Sequence, residues 1–543
     1  MSSFFDDDDS NVDPPHPLGV LPAGNFLWDS TQAGFIDARR LGLGILSHLD
    51  DEAMLNVLEY LDGRSLCLFG GASRVAYAFA THDDTWRALV LRSEPPWDFT
   101  FTGSWRGTGI IRASSSSAAV LVTPPFSRCG LYSATLFHAH RSATARIRRE
   151  WGEFDNLPRP DVEKTTAFDF RADFELGVGR PALLVGAVKG RWPGWAPNGG
   201  GAWSGPAIVA KYGSESLHAG GFDPTIAAYA AYAAGDSGDQ AMYIFDAEFA
   251  DKVPGLGSYS VPPAFPTDLF ALLHPQDRPH YRWLIMGPKK SGSVFHQDPN
   301  GTSAWNACLA GAKLWILLPP DLPPPGVWAS ADGAHACAPL SVVEWYLQFW
   351  EPYKEMRDRR IRACDAEEAA KAKAEVEVEV DVDVGGGAKR GRPFSKPQSP
   401  LSRPYSGIAL EGDVVYIPHG WWHCVLNIGE GLTVAVTQNF CSPEGLPQVL
   451  KFLKEKPLAI SGTRDDAAAA VLGERFRRVL EEKEPEELAR ADAILAEDAP
   501  LVKTSRWARI TTSTTGGGGC APGTSDASSS SSFSFAALWG ATT

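Results

Sequence analysis

The chain has 543 residues, 44% of them apolar, which exceeds one ordinary domain and allows a large buried core. Its net charge of −15 argues against a general nucleic-acid binder and favours basic partners, provided that the acidic surface faces the site. The cysteines form no C-x-x-C pair, the start MSSFFDDDDSNVDPP is acidic where a signal peptide is basic and then apolar, and no run of eighteen apolar residues occurs, so the expectation is a soluble intracellular protein with no membrane partner.

Residues 1–40 are rich in Asp, Pro and Gly and are expected to carry little structure. The text then changes to a helical one. Met54, Leu55, Leu58 and Leu61 form an apolar stripe, Asp50 and Asp51 suit a helix start and Gly63 suits an end. With Ile45, Leu46, Leu49 and Trp86 added, residues 41–110 resemble an F-box, the helical module that docks on the Skp adaptor of cullin-type ubiquitin ligases. The resemblance implies an adaptor contact through residues 41–92, although the usual Leu-Pro opening is missing and Gly71-Ala72-Ser73-Arg74 replaces the Val-Cys-x-x-Trp segment. The alternative is a helical cap that packs on the following domain. A connector of residues 111–159 carries a serine run at 114–117. It also carries His138 and His140, which lack a third ligand nearby and read as surface or packing residues.

From residue 160 to 455 strand-like runs dominate. RPALLVGAV, Trp283 to Met286, Leu314 to Leu318 and Val414 to Ile417 read as strands, and Ala227 to Ala234 as a helix. His296 and Asp298 lie two apart, so on a strand both point to one face and can grip one ion. His-x-Asp alone is weak, since chance gives roughly one or two such pairs in a chain of this composition. His48-x-Asp50 and His82-x-Asp84 are the others, and neither has a histidine partner in a comparable strand. With His423 from the later strand, the set becomes two histidines and one carboxylate, suited to Fe(II) with open positions.

The words FHQDPNGTSAWNACLAGAKLW, YIPHGWWHCVLN and AVTQNF resemble the Jumonji C family of Fe(II) and 2-oxoglutarate oxygenases, in its lysyl hydroxylase or arginine demethylase branch. That resemblance implies a mainly β fold with α additions: a double-stranded β-helix, or cupin-like jelly roll, preceded by the small F-box-like helical domain. It implies His296, Asp298 and His423 as the catalytic iron ligands and Lys313 as the partner of the distal carboxylate of 2-oxoglutarate. Tyr243, Ser293, Asn306 and Thr437 then surround that co-substrate. O2 is the oxidant and ascorbate a reductant in assays. Trp283 and Trp422 are the aromatic candidates for contact with a basic side chain at the mouth.

Between residues 355 and 403 the pattern is interrupted by a low-complexity insertion, expected to loop out as disordered or weakly helical chain. Within it Arg390-Gly391-Arg392-Pro393 reads like an AT-hook core for A·T-rich DNA, or alternatively a linker or nuclear-import element. Residues 456–500 continue as helices after one at Leu446 to Leu453, and residues 501–543 are expected to be a disordered tail. The functional expectation is a nuclear dioxygenase that hydroxylates lysine or demethylates arginine or lysine in basic protein substrates such as histone tails. The competing class is an F-box receptor using the barrel only to hold a client.

Overall fold

The computed structural model describes residues 4–5, 14–92, 100–114, 126–193, 195, 201–235, 241–329, 336–382 and 402–498. The AT-hook-like residues 390–393 and the tail 501–543 lie outside them.

Twelve strands are described: β1 (Ala182–Leu184), β2 (Ile244–Asp246), β3 (Arg282–Gly287), β4 (Gly292–His296), β5 (Ser303–Ala310), β6 (Ala312–Leu318), β7 (Trp328–Ala329), β8 (Ala336–Cys337), β9 (Tyr405–Leu410), β10 (Val414–Ile417), β11 (Trp422–Asn427) and β12 (Thr433–Phe440). They form a six-stranded sheet in the order β1-β10-β5-β12-β3-β2 and a four-stranded sheet in the order β4-β11-β6-β9, with β7 and β8 paired apart. All the strand pairings are antiparallel, and the chain neighbours β5 and β6 end in different sheets. Gly311 turns the corner between those two at φ +82°, a conformation open to glycine.

The two sheets face one another over a core in which Leu183, Ala304, Cys308 and Val415 of the larger sheet meet Trp315, Leu317, Ala409 and Val425 of the smaller. This is the jelly roll. Because side chains alternate along a strand, the neighbours of these residues point outward and need cover. Trp305, Ala307, Tyr416 and Val436 on the outer face of the six-stranded sheet share one apolar cluster with Met54, Leu58, Leu66, Phe79 and Trp86 of the N-terminal helices. The helical module is therefore fused to the barrel through a continuous core, as a cap would be.

That module consists of helices Ala38–Leu43, Asp51–Glu59, Gly63–Gly70, Arg74–Ala80, Asp83–Arg92 and Trp105–Ser114, with a 3-10 turn at Gly44–His48. Asp50 caps the second by accepting from the Ala53 amide, while Gly63 opens the third after the cap Asp62 and does not close its predecessor. One other expectation changes, and one is narrowed to the helical of its two outcomes. In the N-terminal segment expected to be little structured, Leu18 and Val20 are buried, and backbone bonds tie Leu18 and Leu21 to residues 129–133. The first part of the low-complexity insertion is the continuation of one helix, Val342–Val382, anchored by Trp345, Tyr346, Trp350 and Tyr353 on the outer face of the four-stranded sheet. As far as Val382 the Glu-Val alternation continues that helix, which satisfies its backbone without a partner strand.

Three C-terminal helices, Leu446–Glu455, Asp466–Lys483 and Pro485–Asp498, pack through Leu450, Leu472 and Phe476 against Leu269, Phe270 and Cys441 at the end of the barrel.

Candidate metal centre

The pairing of β4 with β11 sets His296 directly opposite His423, with ring centroids 4.1 Å apart. The register then shifts, so that Val425 faces Ser293 and two residues, Val294 and Phe295, are accommodated against one. Both extra side chains pack outward with the long helix. The bulge thereby keeps His296 and Ser293 on the inner face. Asp298 follows just beyond the end of β4, and donor atoms of His296, Asp298 and His423 all lie within 4.8 Å of one another.

Each histidine is oriented by its own strand. Nδ1 of His296 donates to the Val294 carbonyl at 2.8 Å, and Nδ1 of His423 donates to the Trp421 carbonyl at 3.1 Å. Burial pushes both rings down to about 4, helped at His296 by the neighbouring His423 and resisted there by Asp298. A neutral ring protonated at Nδ1 carries its lone pair on Nε2, the nitrogen available to a metal. Burial raises the Asp298 carboxyl to about 6, opposed by His296 and by a hydrogen bond from Asn439. Its Oδ2 is buried without a hydrogen-bond partner among the described residues. A buried carboxylate oxygen facing two imidazole lone pairs fits a divalent cation.

Deeper in the barrel, Leu183, Val415, Asn306, Thr437 and Trp283 are successive register partners across five strands. Directly paired residues share a face. Leu183 and Val415 belong to the inner core, so Asn306, Thr437 and Trp283 also point inward. Thr437 Oγ1 donates to the Trp305 carbonyl at 3.0 Å, and Asn306 Oδ1 is buried without a partner among the described residues. Tyr243 hydrogen-bonds Ser293.

Lys313 is on β6 with only 3% of its surface exposed. Its Nζ donates to Asn427 Oδ1 at 3.2 Å, and no carboxylate among the described residues pairs with it. Burial lowers its ammonium to about 8, so it remains charged at neutral pH. A buried ammonium held by one neutral amide is a strong demand for an anion. Among the predicted residues the structure thus brings together one cation-seeking cluster and one anion-seeking cluster within a single barrel.

The two tryptophans separate. Trp283 stays on the inner row, 3% exposed and stacked on Phe245 at 5.7 Å. Trp422 is corrected: it precedes His423 on the same strand, so its ring lies on the opposite face and packs with Phe295, Leu318 and Trp345 in the outer core. His138 and His140 stand on helix Ala134–Thr144, His140 with its ring 4.9 Å from that of His16, outside the barrel set. Asn427 and Asn439 were missed. Asn427 bridges Lys313 to Ser291 Oγ at 2.9 Å, and Asn439 bridges Asp298 to Thr302 Oγ1 at 2.9 Å. Both follow by period two from inward-facing residues already picked, 423 to 427 and 437 to 439.

A cupin-like domain model matches residues 222–444, the span that contains the two histidines, Asp298, Lys313 and the hydrogen-bonding residues around them. Over 486 residues the chain is 34% identical to an arginine-specific demethylase, JMJ22 of Arabidopsis thaliana, covering 87% of this chain and 82% of that protein. It is 29% identical over 424 residues to a lysine-specific demethylase, JMJ21 of the same plant, covering 76% of this chain and 39% of that protein. It is also 34% identical over 303 residues to a bifunctional arginine demethylase and lysyl-hydroxylase, psr-1 of Caenorhabditis briggsae, covering 54% of this chain and 63% of that protein. Other relatives carry the name 2-oxoglutarate and iron-dependent oxygenase, among them JMJD4 of Homo sapiens at 23% identity over 221 residues. The similarity to JMJ22 runs through the helical module and the barrel alike, and on that extent the chain belongs to the Jumonji C family of iron- and 2-oxoglutarate-dependent oxygenases.

Proposed function

We propose that this oxygenase acts on basic side chains of nuclear proteins, histone tails foremost, and that its reaction is arginine demethylation, with lysyl hydroxylation as the alternative outcome of the same chemistry. The observation that carries the reading is the presence, inside one barrel, of a buried Asp298 Oδ2 without a hydrogen-bond partner among the described residues and, separately, of a buried Lys313 ammonium without a carboxylate among them. The names of JMJ22 and psr-1 supply the substrate class.

In this reading His296, Asp298 and His423 hold Fe(II) through two Nε2 atoms and one carboxylate. Lys313 takes the distal carboxylate of 2-oxoglutarate, and Asn306, Thr437, Tyr243 and Ser293 offer hydrogen-bonding groups around that molecule. Iron with 2-oxoglutarate and O2 supplies the oxidising power, leaving succinate and carbon dioxide as co-products. The protein's own work is to orient one C–H bond and to keep bulk water out of the apolar inner core. Trp283 is one of the inward-facing aromatic side chains, with Trp315 of the inner core another. If the oxidised carbon is a methylene, the product is a stable alcohol. If it is an N-methyl carbon, the hydroxylated product collapses to formaldehyde and a shortened amine.

Mass spectrometry of methylated and unmethylated arginine- and lysine-rich histone-tail peptides, incubated with the protein, Fe(II), ascorbate and 2-oxoglutarate, tests this. Loss of one methylene unit from a methylarginine peptide is the expected result. Gain of one oxygen at lysine assigns hydroxylation, and no peptide change with no succinate overturns the enzymatic reading of the substrate.

A second partner is favoured by a specific observation. One face of the helical module is buried, whereas Leu41, Ile45, Tyr60 and Leu68 expose 76%, 85%, 88% and 68% of their surface. The F-box resemblance points to a Skp-type adaptor as the partner that covers these exposed apolar side chains. Co-elution of the adaptor with the full chain is expected, and Ile45→Asp with Tyr60→Asp should abolish it. An adaptor that fails to bind the unaltered chain sinks the adaptor reading and leaves the oxygenase untouched.

A further inference from the structure

Asp298 differs from the two histidines in standing outside the strands. It precedes a single turn, Pro299–Gly301, and its side chain makes no capping bond to that turn. Its position therefore depends on what holds the turn. Asn300 sits in the left-handed region at φ 57°, ψ 18°, and is only 3% exposed. Its side-chain amide closes a reciprocal pair of hydrogen bonds with the backbone of Ser461: Nδ2 donates to the Ser461 carbonyl at 3.0 Å, and Oδ1 accepts from the Ser461 amide at 3.1 Å. Gly301, at φ +68°, lies so close to the helix Leu446–Glu455 that a Cβ there would come within 3.1 Å of the Gln448 carbonyl oxygen.

The strap continues. Gly462, at φ +76°, accepts from the His280 amide through its carbonyl at 2.7 Å. The next residue, Tyr281, accepts from the Asn439 amide at 2.7 Å. Asn439 returns to the start, since its side chain hydrogen-bonds both Asp298 and Thr302. The chain of bonds is a closed circuit: Asp298 turn, Ser461-Gly462, His280-Tyr281, Asn439, Asp298. Ser461 and Gly462 lie beyond residue 444, where the cupin-like match ends. The barrel by itself thus lacks one arc of the circuit.

We propose that Asn300 and the Ser461-Gly462 strap are positioning residues for Asp298, so that the segment joining the C-terminal helices is part of the metal-binding apparatus. The proposal rests on the reading of Asp298 as an iron ligand. Asn300 suits the role because its amide presents one donor and one acceptor side by side, matching a backbone N–H and C=O, and because asparagine tolerates the left-handed conformation.

The test is Mn(II) titration by calorimetry of the metal-free full-length chain in four forms: unaltered, Asn300→Gly, Gly462→Ala and His296→Ala. Glycine keeps φ 57° accessible while deleting the amide, and Gly462→Ala perturbs the strap from its other end. Outer-shell partners of metal ligands contribute about 10–100-fold in affinity, so Asn300→Gly and Gly462→Ala should each bind Mn(II) at least about ten-fold more weakly. A folded Asn300→Gly or Gly462→Ala chain that melts at a lower temperature yet binds Mn(II) within two-fold of the unaltered chain reduces the strap to a structural tie and overturns the proposal. If the unaltered chain binds no Mn(II), or His296→Ala binds it equally well, the metal-site reading itself fails.

Discussion

Asp298→Asn is expected to abolish Mn(II) binding and to lower succinate formation by at least about 10³-fold, while leaving the metal-free chain folded and no less stable than before. The substitution keeps the shape of the side chain and removes its charge. In the metal-free state that charge is a burden, because burial holds the Asp298 carboxyl at about 6 and its Oδ2 has no hydrogen-bond partner among the described residues. The sign follows from proton binding. A carboxyl whose folded pKa lies above its unfolded value binds more protons when folded, so its contribution to stability falls as pH rises between the two values, and the cost is complete above about pH 6. At neutral pH the uncharged amide relieves it. The cation, by contrast, loses its one anionic ligand. Calorimetric titration and a thermal melt on the same sample check both halves, and a variant that melts normally yet still binds Mn(II) within two-fold would remove Asp298 from the site.

The parts of this site that the sequence discloses are those fixed by local periodicity. His296 and Asp298 stand two apart and His423 follows the strand Val414–Ile417, which makes them candidates, while the resemblance of the surrounding words to the Jumonji C family singles them out from other His-x-Asp pairs and implies Lys313. What periodicity leaves open is facing. Trp422 reads as an aromatic candidate for the mouth, but inward-facing His423 sends it to the outer core. The bulge in β4 is equally hidden: Ser293 and His296 are three apart, which in a regular strand puts them on opposite faces, yet both pair with inward residues of β11. Asn300 lay beyond reach for another reason. Its role exists only through Ser461, 161 positions away, and an Asn before a Gly reads locally as an ordinary turn. The composition of the insertion leaves disorder and weak helix both open, because its Glu-Val alternation has a strand period that offers no helical stripe. Its fate is decided upstream by the aromatic anchors Trp345, Tyr346, Trp350 and Tyr353, which start a helix that the following residues continue.

Lys313→Met should weaken 2-oxoglutarate binding by about 10²–10³-fold and, at neutral pH, raise the stability of the chain without its co-substrate. These opposite effects come from one cause. The ammonium is 3% exposed, donates to Asn427 Oδ1 at 3.2 Å, and is lowered by burial to about 8 from an ordinary 10.5. Between those two values the unfolded chain binds a proton that the folded chain has released, so stability rises with pH across the window. Below about pH 8 the cost is complete, on the order of 3 kcal/mol. Methionine is of similar length, fits an apolar strand and carries no charge, so it removes that cost. A dicarboxylic acid converts the same buried ammonium from a cost into a charge-assisted pair. Adding 2-oxoglutarate with Mn(II) should therefore raise the melting temperature of the unaltered chain well above the rise given by Mn(II) alone, and the Lys313→Met chain should lose that extra rise while starting from a higher baseline. Asn427→Ala separates the amide from the ammonium: it deletes the bridge from Lys313 to Ser291 but keeps the charge. Its affinity for 2-oxoglutarate should fall less than that of Lys313→Met, and its baseline stability should drop, because the ammonium then loses its neutral partner as well. Equal 2-oxoglutarate affinity in the Lys313→Met and unaltered chains would place the co-substrate elsewhere and leave the buried ammonium without a function.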